Sequence, residues 1–104
     1  MIDLTKLQTF IQVVQSSSFS EAAERLHLSQ PTISHHIKTL EQDLGLELFD
    51  RAGGRLRLTQ AGAILLPRAR KLLRDAIELQ QLFESLEDKI IGQIMARYLP
   101  DPHR

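Results

Sequence analysis

Eight apolar residues, Leu65, Ala69, Leu72, Ala76, Leu79, Phe83, Leu86 and Ile90, follow one another by alternating steps of four and three. Such steps keep one stripe on one side of a helix and form a coiled-coil seam, here sustained for more than three heptads. At 1.5 Å per residue, a helix from Gln60 to Ile91 spans about 48 Å, too long for a compact domain of this size to cover. The stripe therefore needs a partner, and a second copy of the chain is the simplest one. Thr59 is suited to cap this helix, and Gly62 lets its start approach a neighbour closely. Pro67 interrupts the backbone ladder after the first turns, which predicts a kink there or a break into two helices. Gly92 is expected to end the seam, and Pro100-Asp101-Pro102-His103-Arg104 to form a loose tail.

The residues before the seam carry shorter helical patterns. Leu4, Leu7, Phe10, Ile11 and Val14 predict a first helix from about Asp3 to Gln15, broken by Ser16-Ser17-Ser18. Ser18 and Glu21 have capping-box spacing, and Ala22, Ala23 and Leu26 continue a second helix to about His27. A third helix, Gln30 to Leu44, places Ile33, Ile37, Leu40 and Leu44 on one face. Ser29 is its N-cap, Pro31 lies in its first turn where a missing N–H matters least, and Gly45 fits the left-handed position that ends it.

The opposite face of that third helix is made by Pro31, His35, Lys38 and Gln42, flanked by Thr32, Ser34 and Thr39. It has no large apolar side chain and no acid. One face for the core, a polar or cationic face outside and a short helix just before it are what major-groove reading requires. The open N–H groups at the Ser29-Gln30-Pro31 start also suit phosphate. An amphipathic surface helix without a ligand shares the periodicity but does not require this helix start.

After Gly45 the period changes from 3.6 to 2. Leu46–Arg51 and Arg55–Leu58 are strand-like runs separated by Ala52-Gly53-Gly54, which predicts a β-hairpin with a glycine tip. Leu56 and Leu58 should face the helices and Arg55 and Arg57 the outside. A tip of Gly53 and Gly54 flanked by arginines can enter a minor groove or lie along phosphates; charge protecting a free sheet edge is the competing explanation.

A net charge of zero, taken alone, argues against a nucleic-acid partner, but distribution outweighs the sum. Arg51, Arg55, Arg57, Arg68, Arg70, Lys71 and Arg74 occur with no acid among them, whereas Asp75 to Asp88 holds five acids and no base. The chain thus has a basic block suited to an anion and an acidic block that is not.

Other function classes find little support. The 104 residues accommodate one ordinary domain plus an extension. Without cysteine there is neither a disulfide framework nor a thiolate metal site, and no apolar run has membrane-spanning length. His35 and His36 diverge by about 100° on a helix, His27 is a turn residue and His103 lies in the tail. No metal site, cofactor or catalytic residue is expected, and no acid–base pair is placed for an enzyme.

The helix-turn-helix with Ser29-Gln30-Pro31-Thr32-Ile33-Ser34, followed by Leu40-Glu41, Leu44-Gly45, Leu48-Phe49-Asp50-Arg51 and Leu58-Thr59-Gln60-Ala61-Gly62, resembles the N-terminal DNA-binding domain of LysR-type transcriptional regulators from about Leu4 to Leu73. The resemblance implies a mainly α fold, a winged helix-turn-helix followed by a long linker helix that pairs in an antiparallel dimer. It further implies bacterial, cytoplasmic transcription regulation by a homodimer on double-stranded DNA at an interrupted inverted repeat. Ser29, Gln30, Pro31, Thr32, Ser34, His35 and Lys38 would then form the reading face, Arg51 would contact the DNA backbone, and Gly53, Gly54, Arg55 and Arg57 would form the wing. His35 stands where the family often has arginine. The expected division is 1–58 for DNA binding, 59–92 for the linker and 93–104 for a short C-terminal segment, with no effector-binding domain and no small-molecule effector. A dimerisation module that pairs with a full-length regulator is the alternative.

Overall fold

In the computed structural model, which describes residues 1–98, each of the first three helices begins where a side chain takes up an unpartnered N–H of the first turn. Asp3 accepts from the Thr5 amide at 2.7 Å at the start of α1 (Leu4–Ser16). Ser18 accepts from the Glu21 amide at 3.1 Å before α2 (Phe19–Leu26), and Ser29 from the Thr32 amide at 3.2 Å before α3 (Gln30–Leu44). All three end on a left-handed residue, Ser17, His27 or Gly45. Only at Gly45 does that backbone coincide with the residue type that adopts it without strain.

Leu7, Phe10 and Val13 of α1, Ala22 of α2, and Ile33, Ile37 and Leu40 of α3 form the centre of the core. Ala22 and Ala23 are buried, so their small side chains let α2 pack closely against its neighbours. The hairpin is shorter than its alternating residues predict. Strands β1 (Phe49–Asp50) and β2 (Arg57–Leu58) pair antiparallel, Phe49 opposite Leu58 and Asp50 opposite Arg57. At the start of β1 and just before it, the amides are held by a helix: Glu41 on α3 accepts from the amides of Leu48 at 2.7 Å and Phe49 at 3.4 Å. Leu46, expected within the strand, is exposed. The tip is a 3-10 turn, Ala52–Gly54, with Gly53 at φ 76° and Gly54 at φ 73°, a backbone that favours glycine at both positions.

Helix α4 runs from Gln60 to Tyr98. Thr59 locks its start, donating its hydroxyl to the Glu47 carbonyl at 2.6 Å and accepting from the Gly62 amide at 3.1 Å. Gly62 sits against the Leu48 carbonyl and the Leu58 side chain, the close approach that its lack of a side chain allows. Of the kink or break expected at Pro67, the break is absent, for the helix continues through it. Proline removes the donor that would reach the Ala63 carbonyl, and both residues are exposed, so water can serve that carbonyl. The helix also continues through Gly92.

Met1–Leu73 form one compact unit and Arg74 begins a second. The first unit includes the start of α4, because Ala69 is buried in its core and Leu65, Leu66 and Leu73 pack against that core. Leu65 and Ala69, the first two residues of the expected seam, are thus engaged within this unit. In the second unit Leu79, Phe83, Leu86 and Ile90 are exposed, as are Ile77, Leu82, Ile91, Ile94 and Met95. The tail from Pro100 lies outside the described residues. Among those described, no helix is long and apolar enough to cross a membrane.

Candidate nucleic-acid interface

The start of α3 is braced before it meets any ligand. Besides capping the helix, the Ser29 hydroxyl lies 2.7 Å from that of Thr32, which ties both side chains to the cap. Gln30, Pro31, His35 and Lys38 are exposed, while Thr32 and Ser34 are half-buried. The buried residues Ile33, Ile37 and Leu40 hold the opposite face in the core, so burial fixes which side chains α3 presents.

Two hollows place this face beside the hairpin. One, of about 390 Å³, is lined by Ser34 and Lys38 from α3 and by Arg51 and Asp50 from the hairpin and its flank, with Glu41, Glu47 and Phe49. The other, of about 360 Å³, brings Gln30 together with Arg51, Gly54 and Arg55, and with Ser18, Phe19 and Ser20 at the start of α2. Arg51 lines both. Its guanidinium carbon lies 4.5 Å from the centre of the Phe19 ring.

The cations of this surface stand outside ion pairs. Among the described residues, no acid lies within ion-pairing distance of Lys38, Arg51, Arg55 or Arg57; the pair formed by Arg25 and Glu21 at 2.9 Å stands on α2. Guanidinium and ammonium groups left unneutralised in this way are suited to phosphate, arginine through its planar fork of donors. Arg57, opposite Asp50 in the hairpin, is exposed and lines neither hollow.

The sequence matches the family described as bacterial regulatory helix-turn-helix protein, lysR family, over residues 4–63. The chain belongs to that family. It is 45% identical over 93 residues to an uncharacterised HTH-type transcriptional regulator of Azotobacter vinelandii encoded in the ibpB-leuC intergenic region, a match covering 89% of this chain and 65% of that protein. Across similar curated relatives the chain spans between 23% and 65% of their length. Among solved structures, the CbnR DNA-binding domain in complex with DNA is similar with a TM-score of 0.76 and 34% identity, covering 83% of this chain and 99% of that one. Vibrio fischeri DarR in complex with DNA gives a TM-score of 0.80 at 28% identity, covering 85% of this chain and 30% of that one.

For this lysR-family chain the fold is the winged helix-turn-helix: α2 and α3 form the helix-turn-helix and the Phe49–Leu58 hairpin forms the wing. Ser18, a cap by its sequence, lines the same hollow as Gln30 and Arg55 together with Phe19 and Ser20, which lie outside the sequence-predicted surface. The aromatic residue directly after the cap was the available signal. The outer face of α3 was expected to be free of acids, and its own residues are; the acids beside Lys38 come from Glu41 at the helix flank and from Glu47 and Asp50 on the following segment. Glu41 is turned to the Leu48 and Phe49 amides, so its carboxylate serves the fold.

Proposed function

We propose that this chain binds double-stranded DNA in a sequence-dependent way and acts in bacterial transcription regulation. The observation that carries the reading is the position of Arg51, shared by the two hollows that join the start of α3 to the wing, with Lys38 and Arg55 alongside and no described acid pairing with any of the three. In this reading Ser29, Gln30, Pro31, Thr32, Ser34, His35 and Lys38 address the major groove. Arg51 addresses the backbone, and Gly53, Gly54, Arg55 and Arg57 the minor groove or its phosphates. The site of action is the cytoplasm, and no catalytic step is assigned.

Two copies paired through α4 would present two reading heads to an interrupted inverted repeat. The exposed Leu79, Phe83, Leu86 and Ile90 support pairing, since a row of large apolar side chains on one helix is costly to leave in water. Selection of bound duplexes from a random pool tests the DNA reading: enrichment of an interrupted inverted repeat is expected, and failure to retain any duplex at low salt overturns it. Sedimentation of Leu79→Asp tests the pairing, with a shift from dimer to monomer expected.

The same exposed apolar row favours a second reading, in which the chain pairs with a longer regulator through α4 and alters that regulator's assembly. Duplex binding by the purified homodimer separates the two. The first reading requires it and the second does not.

A further inference from the structure

Three phenylalanines form a chain from the core to the candidate DNA surface. Phe10 is fully buried on α1, and its ring centre lies 5.5 Å from that of Phe49 at an interplanar angle of 56°. Phe49 in turn meets Phe19 edge-on, at 6.2 Å and 76°. The series ends at Arg51, whose guanidinium lies over the Phe19 ring at 4.5 Å. Phe49 and Arg51 are two residues apart on one segment, so that segment both supports the ring and supplies the cation resting on it.

We propose that Phe19 is a positioning residue for Arg51, holding its guanidinium over the start of α2 in the orientation that grips a DNA phosphodiester. A free arginine carries many rotamers and loses them when it engages a phosphate. Stacking on an aromatic face removes part of that freedom before DNA arrives, and the ring's negative face attracts the cation without neutralising it. A carboxylate partner would hold the side chain equally well but would cancel the charge that phosphate needs. Phe19 is suited to the task because the core fixes it: it is half-buried at the first position of α2, directly after the Ser18 cap, with Phe49 against it. The hollow beside the pair is lined by Ser18, Ser20, Gln30 and Arg55, groups that can donate to the same phosphate or its neighbour.

This inference rests on the DNA reading above, and a double-mutant cycle on a mixed-sequence synthetic duplex at fixed salt separates the two. Phe19→Leu, which retains apolar packing and loses the ring, should weaken binding about three-fold. Phe19→Trp should restore it. Arg51→Lys, which keeps the charge and the Phe19–Phe49 packing but loses the planar fork, should weaken binding to a similar degree. In the Arg51→Ala background, Phe19→Leu should have no further effect, with thermal unfolding followed in every variant. An undiminished loss from Phe19→Leu in that background means that Phe19 acts only through the fold, and this overturns the proposal, as does failure of the tryptophan to restore binding. If wild type binds no duplex, the DNA reading itself falls and the proposal with it; if wild type binds and Arg51→Ala changes nothing, only the proposal falls.

Discussion

The Thr9 hydroxyl and Nδ1 of His36 meet at 2.9 Å, joining α1 to the middle of α3. Thr9 is buried and its oxygen also lies 3.1 Å from the Thr5 carbonyl, to which it donates its one hydrogen. His36 must then donate from Nδ1, so a proton is expected on that nitrogen. Nitrogen-15 chemical shifts of the imidazole read the tautomer directly, and a proton on Nε2 alone would contradict this bond pattern. Thr9→Val keeps the volume and removes the oxygen; urea unfolding should show a loss of about 1–2 kcal/mol. Because the bond helps to set the rotation of α3, that variant should also discriminate less between selected and mixed-sequence duplexes.

Two glycines of α4 should respond to alanine in opposite directions. A methyl at Gly62 would run into the Leu48 carbonyl, a backbone group with little room to yield, and Gly62→Ala should cost about 1–3 kcal/mol. At Gly92 a methyl meets nothing within 4 Å, and inside a continuous helix Gly92→Ala should stabilise that helix by about 0.5–1 kcal/mol. Helical content and urea midpoints report both effects. A loss of helix in Gly92→Ala would show that α4 does not continue through this residue.

Asp3 should make the amino-terminal cap sensitive to acid. The Thr5 amide holds its carboxyl below the ordinary aspartate pKa, opposed by some desolvation and assisted by the Lys6 amide and charge. A depressed folded-state pKa means that the cap's contribution is complete above the unfolded value and is lost as pH falls through the lower folded value. A carboxyl carbon-13 titration should therefore give Asp3 a midpoint below ordinary aspartate, and Asp3→Asn should retain a cap while removing this acid-dependent part. A midpoint at or above the ordinary value would exclude the effect.

If Lys38, Arg51, Arg55 and Arg57 of two protomers each engage a phosphate, about eight contacts give a log–log salt slope near −7. A slope shallower than about −3 would remove the wing from the interface. Arg55→Ala should weaken all duplexes nearly alike and flatten the slope, whereas Gln30→Ala should act mainly by relaxing sequence preference. Binding isotherms at several salt concentrations on a selected and a mixed-sequence duplex distinguish these outcomes.

Much of this architecture was legible because local chemistry decided it. Ser18, Ser29 and Gly45 mark their helix ends by side-chain oxygen or by freedom of the backbone, properties that need no distant partner. The hairpin was legible in kind but not in length, since Glu41 captures the Leu48 and Phe49 amides from a helix several residues away. At Pro67 the sequence left a kink and a break open, and the helix is not broken: whether a lost backbone bond ends a helix depends on solvent access to the orphaned carbonyl, and both Ala63 and Pro67 are exposed.

By itself the sequence determined the order of elements, the buried face of α3 and therefore the face it leaves outside, because periodicity fixes side-chain direction once a helix forms. Tertiary structure alone decided how the apolar repeat of α4 is used. Leu65 and Ala69 share one unbroken pattern with Leu79 and Phe83, yet the first pair is covered by its own domain and the second pair is exposed. Spacing records which side chains share a stripe; it carries no information about which surface lies against each part. The same limit applies to Arg51, whose charge could be read from the chain but whose place over Phe19 required the fold that brings β1 back to the start of α2.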